Sequence, residues 1–267
     1  MNINSKKSLI IIIITALLGG ISYFTFIPNE TPHSFEQIKT LADQGDADAQ
    51  YNLGSIYYFG KGITKNYQIA FEWYKKAAEQ GHAQAQENLG SMYYRKGTTE
   101  NDQKAIKWFT KAAEQGDVEA QIMLGLIYDQ GFITKKNVRK AFKWYKKVVE
   151  QGRGSRWTFL RVGYMYYHGE GTTKNYKKAF KWFKKSARLG DGESNFYLAN
   201  MYYNGKGTTK NYKKAYTHFL ICNYLKYKQE NVYEFINQLE KEISPKAITE
   251  AQDEAEKMIQ GFKKTDD

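Results

Sequence analysis

The side chains best suited to chemistry in this chain are four histidines, His33, His82, His168 and His218, and one cysteine, Cys222. Histidine titrates near neutrality and binds metals readily, so each is a candidate base or ligand. No two of them stand three or four residues apart, the spacing that sets two imidazoles on one helix face, and the sequence carries no metal signal of that kind. A single Cys excludes both a disulfide framework and a cysteine-based zinc site. Gly-x-Gly-x-Thr runs begin at Gly60, Gly169 and Gly205. They lack the Gly-Lys-Ser/Thr of a phosphate-binding P-loop and read as turns. Glu250 and Glu254 pair on a terminal segment and read as a solvated acidic face. The residues therefore predict no catalytic group, no metal and no cofactor.

The positions of these side chains follow from an internal repeat. Ala70-Phe-Glu-Trp-Tyr-Lys-Lys-Ala-Ala-Glu-Gln-Gly81 returns at Ala105–Gly116, Ala141–Gly152 and Ala179–Gly190. It carries Trp73, Trp108, Trp144 and Trp182, and His218 takes the tryptophan's place in a degenerate fifth copy. A second motif precedes each copy, starting at Ala49, Ala85, Ala120, Thr158 and Ser194, and its small and apolar residues follow helical spacing. Each unit is thus a first helix (A), a glycine loop and a second helix (B). Asn66, Asn101, Asn137, Asn175 and Asn211 are suited to cap helix B, whose alanines and aromatic pair, the Trp included, form the buried stripe. In this frame His82 stands at a helix start where other copies have Asp46 and Asp117. His168 aligns with Phe59 and Asn204, and Cys222 aligns with the small Ala77, which predicts a buried, inert thiol.

A helix pair of this kind has an apolar face too large to cover alone, so the units must stack. The expected class is all-α, a right-handed superhelical solenoid of five units at 45–80, 81–115, 116–151, 152–189 and 190–225. Residues 29–44 supply a linker and an N-capping helix. Residues 226–267 supply C-terminal cap helices and a tail, with Ser244 as N-cap and Pro245 in the first turn. Unit two lacks one loop residue at Tyr94-Arg95-Lys96-Gly97, and Arg153-Gly154 inserts two residues before Trp157.

This pattern resembles the Sel-one-like repeat (SLR) family, relatives of tetratricopeptide repeats. The residues that carry the resemblance are Ala49, Leu53-Gly54, Tyr57 and Gly60 in helix A and Ala70, Trp73-Tyr74 and Ala77-Ala78 in helix B, with their later copies. The resemblance covers about residues 34 to 262. It implies a non-enzymatic adaptor or scaffold that binds a protein or peptide in a concave groove lined by helix A. On that face Asn52, Asn88, Arg95, Arg161, Tyr164, Tyr197 and Asn200 are the candidate partner-binding residues, since arginine and aromatic side chains suit protein recognition. Cysteine-rich relatives with paired cysteines carry a beta-lactamase label, so a hydrolase of that type is the enzymatic alternative; this chain has one Cys.

Charge adds a second candidate surface. The net charge is +12, and residues 135–190 alone hold 17 Lys and Arg against two acids. Lys143 and Lys147 in unit three, and Lys177, Lys181, Lys184 and Lys185 in unit four, fall on the side of helix B away from its apolar stripe. A cationic patch there fits an anionic membrane surface or an acidic partner. Nucleic acid is a poor fit for an exported domain.

The export reading comes from the N-terminus. Lys6 and Lys7 precede an uncharged stretch, 8–27, that ends at Pro28. Twenty helical residues rise about 30 Å, enough to cross a bilayer. Residues 1–28 therefore read as a signal anchor or a signal peptide. The positive flank stays in the cytoplasm, which places the repeats outside it, in the periplasm: held at the inner membrane by one span, or released if the signal is cleaved.

Overall fold

The computed structural model describes residues 34–227 and 231–263. The apolar stretch 8–27, its anchor or signal reading and His33 lie outside them. Among the described residues the chain is all-helical, with thirteen helices: α1 (Phe35–Asp43), α2 (Ala47–Phe59), α3 (Tyr67–Glu79), α4 (Ala83–Lys96), α5 (Thr99–Glu114), α6 (Val118–Gln130), α7 (Val138–Glu150), α8 (Arg156–His168), α9 (Tyr176–Arg188), α10 (Gly192–Asn204), α11 (Tyr212–Tyr224), α12 (Val232–Glu242) and α13 (Pro245–Lys263). No described helix is long and apolar enough to cross a membrane. The chain divides into two compact halves between Asn137 and Val138, so the third helix pair contributes α6 to one and α7 to the other.

Local chemistry explains the boundaries. Asp46, His82, Asp117, Ser155 and Asp191 cap the A helices, each side chain accepting from the backbone N–H three residues on. Asn66, Asn175 and Asn211 cap α3, α9 and α11, satisfying donors that a helix start leaves open. Asn101 does not. The cap of α5 is Thr98, whose hydroxyl accepts from the Asn101 N–H, because the shortened loop lets this helix start earlier and run 16 residues.

Within a pair, a glycine on helix A lets the aromatic of helix B lie flat on the backbone. A Cβ at Gly163 would sit 2.7 Å from the Phe183 ring, and one at Gly54 2.8 Å from Tyr74. These ring positions, Tyr74, Phe109, Tyr145, Phe183 and Phe219, are fully buried. The tryptophans are not the centre of the core. Trp73, Trp108 and Trp144 are part-exposed, and only Trp182 is buried. Trp108 packs from the side on the Ala70, Tyr74 and Leu89 cluster, and Trp73 on Ala42, Ala49 and Leu53. A ring of that size straddles the seam between pairs rather than filling it.

The inserted Arg153-Gly154 is absorbed locally. Phe159 and Val149 close over Gly154, where a Cβ would meet them at 3.1–3.2 Å, and Trp157 sets its edge on Tyr145 at 5.4 Å. At the C-terminus α12 and α13 cover α11 with Val232, Ile236, Leu239 and Ala251, and the Ser244 hydroxyl accepts from the Ala247 N–H.

Candidate functional site

The helix-A residues singled out by sequence fall on α2 and α4 in one half and on α8 and α10 in the other. In the N-terminal half a polar seam runs between α2 and α4. Ser55 and Asn88 both hydrogen-bond the Tyr51 phenol, and Ser55 also meets the Tyr74 hydroxyl at 3.1 Å. Tyr51 stacks on His82 with ring centroids 4.5 Å apart. His82 accepts from the Ala85 N–H at Nδ1, so Nε2 carries the proton and points to Asp48 at 3.2 Å. Burial lowers the His82 pKa against the pull of Asp48. Glu87 accepts a 2.8 Å bond from the Ser91 hydroxyl. Burial, with Asp117 and Glu119 adding repulsion, pushes its carboxyl up to about 7. Arg95 donates to the Tyr58 hydroxyl across the repeat at 2.9 Å. Asn52 is part-buried on the same helix as Ser55.

In the C-terminal half aromatic contacts prevail. Arg161 pairs with Glu170 in the following loop at 3.1 Å and lies 5.3 Å from the Tyr164 ring. Tyr164 packs on His168 at 4.2 Å and edges toward Tyr197 at 6.1 Å. Tyr197 stacks on Phe183 at 4.6 Å, and burial raises its phenol pKa. Asn200 donates back to the Phe196 carbonyl. The structure thus brings Arg161, Tyr164, Tyr197 and Asn200 onto α8 and α10 of one half, and Asn52, Asn88 and Arg95 onto α2 and α4 of the other.

The reactive side chains have settled environments. Burial, then Lys184 and Lys214, lower the pKa of His218 to about 4, with Nδ1 2.8 Å from Asn195 Oδ1. Cys222 is buried and burial pushes its thiol up to about 12. At neutral pH His218 is uncharged and Cys222 is not a thiolate, the form that attacks. His168 is exposed on the α8 terminus, its pKa lowered first by burial. Among the described residues no three His, Cys, Asp or Glu side chains gather as a metal site. Glu250 is not simply solvated, since it pairs with Lys213 at 2.8 Å.

The basic residues lie on α7 and α9. Lys147 sits 4.6 Å from the centre of the Trp144 ring, Lys185 5.0 Å and Lys181 5.1 Å from that of Trp182. Lys143, Lys177, Lys181 and Lys184 are exposed, with no carboxylate pairing to them among the described residues. The same cation–aromatic contact occurs at Lys76 over Trp73, 3.9 Å, and Lys111 over Trp108, 4.5 Å. The signal for it was present as a lysine three residues after each of the four repeat tryptophans, the spacing that makes side chains neighbours on a helix.

A glutamine ladder went unread in the sequence. Gln50, Gln86 and Gln121 are buried and donate to the carbonyls of Ala42, Ala78 and Ala113. Gln80 bridges to the Gly45 carbonyl and Gln50, and Gln115 to the Gly81 carbonyl and Gln86.

Comparison with known proteins agrees with this geometry. The family described as Sel1 repeat matches residues 47–82, 83–117, 118–152, 160–191 and 192–221. No curated protein matches the chain. Among solved structures, a protective antigen of uropathogenic Escherichia coli displaying an SLR fold, c5321, is similar at TM-score 0.63 and 29% identity over 87% of this chain and 49% of that one; the present chain spans about half its length. A Sel1 repeat protein of Oxalobacter formigenes is similar at TM-score 0.61 and 30% identity, over 84% of this chain and 94% of that one. Five matched repeats, three of them with a buried aromatic seated on a helix-A glycine, make this chain a member of the Sel1 repeat family.

Proposed function

We propose that this chain is a non-catalytic scaffold that holds a protein or peptide against its helix-A faces. The observation that carries the reading is the composition of those faces. Arginine and tyrosine stand side by side at Arg95 and Tyr58 and at Arg161 and Tyr164, the residue types that dominate protein-binding hot spots. Intramolecular contacts already hold them in place, which lowers the ordering cost of binding. The environments of Cys222 and His218 speak against the hydrolase alternative, because the thiol stays protonated at neutral pH and the buried imidazole, held by Asn195, is left only weakly basic. Lys6, Lys7 and the stretch 8–27 support export, with the repeats held at the inner membrane on the periplasmic side. The lysine face of α7 and α9 is a second contact surface, for an anionic membrane.

The test is a paired substitution, Arg161→Ala with Tyr164→Ala, in the full chain. Loss of captured partner from crosslinked cells with an unchanged melting temperature is expected. Full capture would remove α8 from the binding face. Turnover of a beta-lactam or cell-wall substrate by purified protein above a heat-killed control would overturn the non-catalytic reading.

A further inference from the structure

We propose that the outward faces of α7 and α9 dock flat on a bilayer rich in anionic phospholipid, which deepens the reading of the lysine face given above and does not involve the helix-A residues. On α9, Lys177, Lys181, Lys184 and Arg188 are all exposed and lie on one line of the helix, about 17 Å long at 1.5 Å per residue. Lys143 is likewise exposed on α7.

Three features make this face more than a solvated one. Residues 135–190 contain two acids, Glu150 and Glu170, and both are already engaged, with Lys146 at 3.5 Å and Arg161 at 3.1 Å. Neither α7 nor α9 has an acid in its first turn; Lys177 and Lys178 stand at the positive end of α9 instead, where the helix dipole disfavours cations. Lys177 and Lys181, Lys181 and Lys185, and Lys184 and Arg188 are like-charge pairs four residues apart, each mildly destabilising. Lys181 and Lys185 gain the Trp182 ring and Arg188 the negative end of the helix, but the like-charge pairs remain a cost that an anionic surface relieves.

The chemistry selects the kind of anion. Three of the four cations on the α9 line are lysines, and Lys143 is another. Lysine is a point charge without the planar fork that grips a single carboxylate or phosphate in two bonds. Such a row suits many phosphodiester headgroups spread over a plane, each lysine near the surface adding to attachment. The stretch 8–27 would keep the domain at that plane.

The full chain is incorporated into vesicles of phosphatidylcholine alone, or of phosphatidylcholine with phosphatidylglycerol. A water-soluble acetylating reagent then reads lysine accessibility by mass spectrometry. At low salt, Lys143, Lys177, Lys181 and Lys184 are expected to label about tenfold more slowly in the anionic vesicles, while Lys39 and Lys107 are unaffected. High salt abolishes the difference, and so does K177Q/K181Q/K184Q, scored at Lys143, with the thermal melt confirming that the variant is folded. Equal labelling in both vesicles, protection spread equally to Lys39 and Lys107, or protection by soluble polyglutamate and not by anionic vesicles would each overturn the proposal. Loss of partner capture in the Arg161 and Tyr164 variant leaves this readout untouched, so the two readings fail separately.

Discussion

In the N-terminal half, Gln80 and Gln115 reach back across their own helix pair to bond the carbonyl at its start and a glutamine on its first helix. In the C-terminal half Gln151 still follows α7, but the other corresponding places hold Leu189, Phe159 and Asn195. There the seams close by ring contact, with Phe159 stacked on Trp182 and Phe183 on Tyr197, and by His218 on Asn195. Charge divides the same way. α5 opens with Glu100 and Asp102, and Glu100 pairs with Lys104 at 2.6 Å; α9, the equivalent helix B of the fourth repeat, has no acid in its first turn. One motif thus tolerates polar or aromatic seams, and balanced or one-signed surfaces, because its frame rests on caps, glycines and the buried ring.

Four sets of substitutions probe that comparison. The largest effect is expected at the loop glycines. A Cβ at Gly207 would run into the Tyr176 carbonyl, whereas at Gly62 it meets nothing within 4 Å, though both glycines have φ +74°. Gly62→Ala should cost about 1 kcal/mol, for the left-handed backbone alone, and Gly207→Ala about 3 kcal/mol or more, since backbone must also move. Denaturant melts of the two variants read the difference directly.

Next comes the ladder. Gln86→Ala strands the Ala78 carbonyl and the Gln115 amide and should cost about 2 kcal/mol. Phe159→Leu in the aromatic seam should cost about 1 kcal/mol, and equal losses would erase the distinction between the seams.

Glu87 gives the N-terminal half a pH dependence. Its carboxyl is raised from 4.5 to about 7, so between those values the folded chain binds a proton that the unfolded chain has released. Stability therefore falls as pH rises through that window, and the full penalty stands above 7. Glu87→Gln should flatten the decline and raise stability by about 2 kcal/mol at pH 8. A parallel decline in the variant would assign it elsewhere.

The smallest change is expected on α9. Replacing Lys177, Lys181 and Lys184 with Gln should raise stability by about 0.5–1 kcal/mol at low salt, by removing like-charge repulsion, and the gain should fade as salt is added. The reverse sign would mean that these lysines support the fold.

The repeat, its glycine loops and most helix caps were legible because they depend on neighbours in sequence. Asn66, Asn175 and Asn211 cap as their types and places require. Asn101 misled because one deleted loop residue moved the cap to Thr98. The tryptophans misled because recurrence marks a packing role without fixing depth. Tyr74, next to Trp73, takes the buried place instead. The ladder was hidden because Gln80 and Gln50 stand far apart in sequence and meet only when the two helices of a pair fold against each other. The candidate site was legible as positions, Asn88 or Arg161 among them, but not as contacts. Arg161 finds Glu170 in the next loop and Asn88 finds Tyr51 on the previous helix pair, and neither pairing follows from local spacing.

The central claim is that helix-A faces hold a protein partner. It is tested most directly by placing a photocrosslinking side chain, one position at a time, at Asn52, Asn88, Tyr164 and Asn200 and at the exposed helix-B controls Glu72 and Lys107, then irradiating intact cells. The account predicts one discrete protein adduct, of the same mass increment, at the helix-A positions and none at the controls. Adducts at Glu72 and Lys107 as strong as those on helix A, or none at any helix-A position, would contradict it.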